Sequence, residues 1–568
     1  MKPQGLLTNW RFFLMGGILC VLPISLVWHL AHLQVVPGAE KGFRFLQSEG
    51  EARTLRSQTI NAYRGVISDR NGEVLAVSTP VKSIYANPQQ ILPEQIPALA
   101  KALAMPVREL KEKFKSYEGR QFVYLARHLP PHQANAILNQ RFAGVSAEQE
   151  YRRYYPAGET VAHIVGFTNI DDVGQEGIEL AYNDWLSGAP GYKHVMQDLK
   201  GNIVKEVGLH KAPESGKDLQ LSIDLRLQYL AYRELKAAIS KMGAKAGSLV
   251  MLDVDTGEVL AMVNQPSYNP NDRTVIKPAQ LRNRALTDVF EPGSTMKPFT
   301  MMAALETGRY SPSDKIDTSP GYLKVGNKTL LDPRDYGVLD LTTIITKSSQ
   351  VGISKLALEL EPDRIRNMFF RVGLGQSTGV GFPGESIGIL PSRRKWSPLE
   401  QATLAFGYGL NVNALQLAQA YMVIAAGGNK KHVSLLKNNS KDIVVERVIS
   451  EKIANQITAM LKTVVQPGGT AKRAQISTYP VAGKSGTAHK VGEFGYMDSK
   501  YIALFAGFAP ADNPKIAAVV VINEPPDGHY FGGEAAAPIF AAVVGGALQV
   551  LGVPPVNRDQ FLVQVAHQ

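Results

Sequence analysis

The sequence predicts an α+β fold: one transmembrane helix, a mixed, elongated module, and a larger domain in which an antiparallel sheet carries a long helical insertion. Three patterns predict it. An uncharged apolar run occupies positions 12–36, strand–turn–strand patterns recur at 247–263 and 501–522, and the apolar residues between those two patterns follow helical spacing. A sheet assembled from both ends of a domain, with helices inserted between, buries all of these faces together. At 568 residues the chain is long enough for several domains. Its 45% hydrophobic and 20% charged residues sit near globular averages, which excludes wholesale disorder and a polytopic membrane protein. The net charge of +11 suits an anionic membrane surface, an anionic polymer or nucleic acid. No five basic residues stand in a row, so no nucleic-acid partner is expected.

The run FFLMGGILCVLPISLVWHLAHLQVV from Phe12 to Val36 lacks Asp, Glu, Lys and Arg. It exceeds the roughly 20 residues a helix needs to cross a bilayer. Lys2 and Arg11 precede it and the next basic residue is Lys41, so the positive-inside rule places residues 1–11 in the cytoplasm and the bulk of the chain outside. The run is long for a signal peptide and ends without a small-x-small cleavage site, which favours an uncleaved anchor. Cys20, the single cysteine, lies inside it, so neither an intramolecular disulfide nor a cysteine metal cluster is expected. A second uncharged stretch, 535–557, is interrupted by Pro538 and Gly545-Gly546 and reads as a core helix.

Residues 41–215 mix short alternating runs with turns. Arg64–Ile67 and Glu73–Val77 flank Asp69-Arg70-Asn71-Gly72, a hairpin signal. Residues 94–114 have helical spacing, with Ile96, Leu99, Leu103 and Val107 toward one face. Arg152–Gly158 and Gly174–Glu179 read as solvated, punctuated turns. A boundary falls near Gly216, within Pro213-Glu214-Ser215-Gly216-Lys217, and Asp224 is the expected N-cap of a helix running to about Met242.

The chemistry concentrates in three strings. Ser294-Thr295-Met296-Lys297 precedes an apolar helical run, and a lysine three residues after a serine brings amine and hydroxyl about one turn apart. A desolvated lysine loses its proton near neutral pH and can serve as the base an unactivated serine lacks. Thr346-Lys347-Ser348-Ser349-Gln350 is a polar cluster in an otherwise apolar helical segment, which is costly unless it lines a site. Lys484-Ser485-Gly486-Thr487 opens a strand pattern; Gly486 would let a substrate backbone approach, while Lys484 and Thr487 can hold a carboxylate.

Ser-x-x-Lys, Ser-x-amide and Lys-Ser/Thr-Gly in this order resemble the penicillin-binding proteins. The segments RGVISDRNGEVLA, RRYYPAGETVAHIVGFT and GQEGIELAYN resemble the non-catalytic module of class B members, and KSSQVGISKLA with FGGEAAAPIF resembles the division-specific, FtsI-type branch. The resemblance covers nearly the whole chain. It implies a cytoplasmic tail at 1–11, an anchor at 12–36, a pedestal or dimerisation-type module at 37–215, a transpeptidase domain at 216–556 and a tail at 557–568. It also implies a single-pass protein of the bacterial inner membrane with its catalytic domain in the periplasm, peptidoglycan stem peptides as substrate, β-lactam antibiotics as acylating ligands, and membrane proteins of the division machinery, including a cognate glycosyltransferase, as partners. No metal and no organic cofactor are expected.

By the resemblance, Ser294 attacks the penultimate D-Ala carbonyl, Lys297 is the base, and Ser348 relays the proton to the leaving amine. Lys484, Ser485, Gly486 and Thr487 bind the substrate, with the backbone N–H groups of Ser294 and Thr487 as oxyanion hole. Gln350 stands where the family pattern has Asn; its extra methylene moves the amide by roughly 1.5 Å, a shift that alters catalysis unless the cleft is tuned to it. Two other readings stay open: a D,D-carboxypeptidase or β-lactamase-type hydrolase, for which Glu361 lies downstream of the second motif but reads as a helix start, and a largely non-catalytic division scaffold.

Overall fold

The computed structural model describes residues 6–35, 42, 44–45, 50, 55–197, 203–274, 276–393, 395–438, 443–492, 495–526, 528 and 530–556. The expected C-terminal tail, the first five residues and Val36 lie outside these. The chain divides into two compact units: Met1–Tyr63, Pro80–Tyr151 and Gly188–Gly216 form one, and Arg64–Thr79, Arg152–Ser187 and Lys217–Gln568 form the other.

In the first unit, the helix Leu6–Gln34 covers the expected anchor from Phe12 to Gln34. Its stretch Trp10–His32 has a mean hydropathy of 2.0 and none of it is buried, the composition and exposure of a segment meant for lipid. The strand Gly191–Gln197 pairs antiparallel with Leu55–Ile60 on one side and with Ile203–Lys211 on the other. A separate small core gathers Ile84, Leu99, Leu110, Val123 and Ile137. The continuous helix suggested by the spacing at 94–114 is two helices, Ile96–Ala102 and Val107–Ser116. Pro106 interrupts them, because a proline offers no N–H and turns the preceding residue away from helical backbone. Val107 is accordingly exposed.

The second unit holds the expected hairpin, with Ile67 opposite Ala76 and Ser68 opposite Val74. The Asp69 carboxylate closes it by accepting the N–H groups of Asn71 at 2.7 Å and Glu73 at 2.9 Å. The two segments read as solvated turns keep Arg152, Tyr154 and Gln175 exposed but carry other residues inside. Arg153 and Glu179 are buried, and Glu179 accepts from Arg64 Nε at 2.7 Å and from Arg153 Nε at 2.6 Å. A carboxylate between two guanidiniums keeps its charge compensated away from water, which a one-dimensional reading of polar residues does not reveal.

The same unit is built on a five-stranded antiparallel sheet: β1 (Ala246–Asp253), β2 (Val259–Gln265), β3 (Ala482–Gly492), β4 (Gly495–Ala509) and β5 (Ile516–Asn523), in spatial order β2-β1-β5-β4-β3. Strands from both ends of the domain thus pair centrally, as expected. Nearly every residue of β1, β2 and β5 is buried, so both faces are covered. The helices Leu225–Met242, capped by Asp224, and Ala537–Val550 pack on each other and on the sheet. The rings of Phe505 on β4 and Phe540 lie 4.7 Å apart, and the segment read as a core helix is largely buried. Helix Ala414–Ala425, buried along its whole length, packs on β1, β4 and β5. The insertion between β2 and β3 supplies further helices, among them Lys297–Leu305, in which every residue is buried.

Candidate active site

Ser294 lies in a single 3-10 turn, Gly293–Met296, that runs directly into helix Lys297–Leu305. Three contacts fix the turn. Gly293, at φ +54°, donates its N–H to the Gly407 carbonyl at 3.2 Å; the Thr295 hydroxyl donates to the Pro292 carbonyl at 2.7 Å; and the Tyr421 hydroxyl donates to the Thr295 carbonyl at 2.9 Å. Ser294 itself is only half-buried, and its hydroxyl makes no hydrogen bond among the described residues, so it is open to a ligand. Strand β3 runs beside this turn. A Cβ on Gly486 would stand 2.9 Å from the Pro292 carbonyl oxygen and 3.0 Å from Thr295 Cγ2. The glycine is therefore required by the approach of strand and serine turn, where the sequence suggested substrate access.

The second motif is a corner between two helices, Leu341–Lys347 and Gln350–Leu358. Ser348 ends the first in left-handed backbone (φ +59°, ψ 36°), a conformation that costs a non-glycine residue about 1 kcal/mol or more. Ser349 caps the second, accepting the Gly352 N–H at 2.8 Å. This geometry turns both oxygens of Ser348 toward the two motif lysines. Lys297 Nζ donates to the Ser348 carbonyl and, at 3.0 Å, to its hydroxyl, while Lys484 Nζ donates to the same hydroxyl at 3.0 Å and to the Ser485 carbonyl at 3.2 Å. The structure thus brings Lys297, Ser348 and Lys484 into one hydrogen-bonded row.

Both lysines are fully buried. Burial, reinforced by the neighbouring Lys484 and opposed by the Asp332 carboxylate, holds the Lys297 amine well below the usual lysine range. Burial brings Lys484 down to about 7. An amine whose proton is loosened by burial, one helical turn from an accessible serine, can accept a hydroxyl proton.

Along β3, alternation sets Ser485 and Thr487 on one face and Lys484 and Gly486 on the other. Thr487 is half-buried and accepts the Gly532 N–H at 3.0 Å, leaving its own proton to donate. The Ser485 hydroxyl lies 3.1 Å from that of Thr470. Gln350 is half-buried and its side-chain amide has no partner among the described residues. Two neighbours of the site carry no motif signal. Glu291 precedes the serine turn and accepts from Gly409 N–H at 2.8 Å and from the Tyr496 hydroxyl at 2.9 Å. Asp332 lies between a hairpin and the second motif, and only the fold brings it there. Glu361 is exposed and pairs with Arg364 at the start of helix Pro362–Arg371.

The family profile of the penicillin-binding protein transpeptidase domain matches residues 247–545, and that of the penicillin-binding protein dimerisation domain matches 59–221. This chain belongs to the class B penicillin-binding proteins. The transpeptidase is 41% identical to the probable peptidoglycan D,D-transpeptidase PbpC of Pseudomonas aeruginosa, over 97% of this chain and 96% of the relative. It is equally 41% identical to the peptidoglycan D,D-transpeptidase FtsI of Escherichia coli, over 96% and 93%. Among solved structures, a peptidoglycan synthetase from Bifidobacterium adolescentis aligns at TM-score 0.70 and 27% identity over 89% of this chain and 98% of that one. Penicillin-binding protein 3 of Mycobacterium tuberculosis, solved with aztreonam, aligns at 0.68 and 28% over 88% and 98%. The activity is that of a serine-type peptidoglycan D,D-transpeptidase.

Proposed function

We propose that this transpeptidase cross-links stem peptides during septal wall synthesis through a Ser294 acyl-enzyme. The observation that supports the site assignment is the row Lys297–Ser348–Lys484, whose first lysine follows Ser294 by three residues in the same turn. Neutral Lys297 takes the Ser294 proton as Oγ bonds to the penultimate D-Ala carbonyl carbon. The oxyanion is met by the backbone N–H groups of Ser294 and Thr487. Collapse breaks the peptide bond, and the proton passes through Ser348 to the leaving D-Ala amine. The acceptor amine of a second stem then attacks the ester, its surplus proton returns to Ser294, and the free enzyme is regenerated. Ser485 and Thr487, on one face of β3, hold the terminal carboxylate of the donor, Lys484 on the other face holds Ser348, and Gln350 addresses the donor's peptide backbone. A β-lactam enters the same sequence and stays as the ester.

Residues 37–215 serve as pedestal and 216–556 as catalytic domain in this reading, in a protein anchored in the inner membrane beside its division partners. The septal role rests on the resemblance of the second motif and the FGGEAAAPIF segment to the FtsI-type branch. In the full chain, Ser294→Ala should abolish covalent labelling by a fluorescent penicillin while thermal unfolding stays near wild type, because a half-buried hydroxyl adds little to packing. In cells depleted of the native copy, the same variant should leave filaments undivided. Undiminished labelling would sink the nucleophile assignment, and normal septation the division role.

Lys2 and Arg11 before the uncharged run support an outward catalytic domain. A reporter active only outside the cytoplasm, fused after Gln568, should be active. A cytoplasm-only reporter working at that position would reverse the orientation.

A further inference from the structure

The first compact unit carries two histidines that the reaction does not use. His194 lies on strand Gly191–Gln197 and His210 on the neighbouring strand Ile203–Lys211, and their rings stand 4.9 Å apart, centre to centre, at 52°. Aromatic pairs that attract each other prefer offset-parallel or near-perpendicular planes, and this tilt is neither. Strand pairing explains the approach. Tyr192 pairs with Lys211 and Lys193 with Leu209, which leaves His210 as the extra residue of a bulge, outside the ladder and free to lean toward a neighbour. Directly opposite His194 stands Gly208, where even a Cβ would meet nothing within 4 Å, so the space beside the His194 ring is open. On the other side Ser57, the partner of His194 on strand Leu55–Ile60, places its Oγ 3.4 Å from His194 Nδ1. With Nδ1–H donating to that hydroxyl, the free lone pair of the ring sits on Nε2.

We propose that His194 and His210 form a binding site for a divalent transition-metal ion of the Zn²⁺ class, held between the two strands. Zinc–imidazole bonds of about 2.0–2.1 Å put each ring centre roughly 3.2 Å from the ion, so two rings at the tetrahedral angle have centres about 5.2 Å apart. The observed 4.9 Å is close to that spacing, so little movement is needed to bind. Imidazole nitrogen suits Zn²⁺ and its neighbours Cu²⁺ and Ni²⁺. Ser57 stands where a metal-bound histidine needs a hydrogen-bonding group, behind the ring, fixing its tautomer and orientation. His210 is exposed, so an ion reaches the pair directly from solvent. Among the described residues no group of three or more His, Cys, Asp or Glu is placed to hold a metal, so water fills the remaining positions. Such a site loads and empties with the surrounding metal concentration. Bound metal ties strand to strand and stabilises this sheet. Ser348 belongs to the other compact unit, and the site is independent of the acyl-enzyme assignment.

The test is a calorimetric titration with zinc chloride of the detergent-solubilised full chain, purified without a histidine tag and stripped of metal with EDTA. Wild type should take up one Zn²⁺ per chain. His194→Ala and His210→Ala should each weaken binding at least about tenfold, and Ser57→Ala about tenfold, the cost of losing a group that orients a ligand. Zinc at about a hundred times Kd should raise the unfolding midpoint of wild type and leave that of both histidine variants in place. Without metal, the three variants should unfold and label with a fluorescent penicillin as wild type does, because none of the changed side chains is fully buried. Should His194→Ala not fold, the exposed His210→Ala carries the comparison. His29 and His32 share one face of the anchor helix and are the competing pair, so His32→Ala should bind zinc as wild type does. The proposal is overturned by the absence of saturable binding below about 1 mM, by equal affinity in wild type and His210→Ala, or by binding lost in His32→Ala instead.

Discussion

Lys297 and Lys484 are expensive residues. A lysine taken wholly out of water is tolerated when it gives up its charge or finds partners, and here the two share one serine, Ser348, as common acceptor. The next residue but one, Gln350, is the position that departs from the family pattern. Its backbone N–H donates to Asp332 at 2.5 Å, which ties the backbone down at this position. The amide thus stands roughly 1.5 Å further along than an asparagine amide would. Gln350→Asn withdraws it from a substrate or drug. Losing one hydrogen bond of about 0.5–1.5 kcal/mol should slow acylation roughly two- to tenfold. Second-order acylation constants with one penicillin and one cephalosporin check this, and a variant faster with both drugs would refute it.

Strand β3 and the serine turn work as one element pair, because the strand can carry Lys484 to Ser348 only by lying against the turn. Gly486 makes that contact possible. In Gly486→Ala the new methyl meets the Pro292 carbonyl oxygen at 2.9 Å and Leu504 Cγ at 2.9 Å, and a backbone carbonyl cannot rotate aside. The strand or the turn must shift. Overpacking of this kind costs about 1–3 kcal/mol, so the unfolding temperature should fall. Acylation should fall further, by about a hundredfold for a displacement near 1 Å. An alanine variant that acylates at the wild-type rate would show that strand and turn move independently.

Across the larger compact unit, segments distant in the chain are fastened by buried charge. Glu179 accepts from Arg64 Nε and Arg153 Nε, and its backbone carbonyl accepts from Arg64 at 3.0 Å. Arg64 also donates to the hydroxyl of Ser187 at 2.8 Å and to the Asp172 carbonyl at 3.1 Å. Removing the carboxylate charge leaves two guanidiniums buried against each other. Glu179→Gln should therefore destabilise the unit by about 3–5 kcal/mol, seen as a lower midpoint in thermal or denaturant unfolding. Acylation measured well below that midpoint should stay near the wild-type rate, since the cluster takes no part in the row at Ser348. A variant as stable as wild type would show that the arginines find other partners.

The strands at 247–263 and 501–522, the capped helix after Asp224, the apolar anchor and the three motif strings are legible in the sequence, because each is written in local periodicity, caps or short spacing. What local pattern cannot carry is the partner of a polar residue. Arg153 and Glu179 look solvated until the chain folds them onto each other, and Val107 looks inward until Pro106 breaks its helix. Gly486 reads as room for a substrate, and the fold adds a second need, room for the serine turn. Asp332 has no signal at all: its meaning arises when a loop and a helix corner meet, and the burial that depresses Lys297 exists only once the insertion closes over it. The one-dimensional pattern specifies which elements form and which side chains hold chemistry. Desolvation and hydrogen-bond partnership are properties of packed neighbours, so they belong to the folded chain.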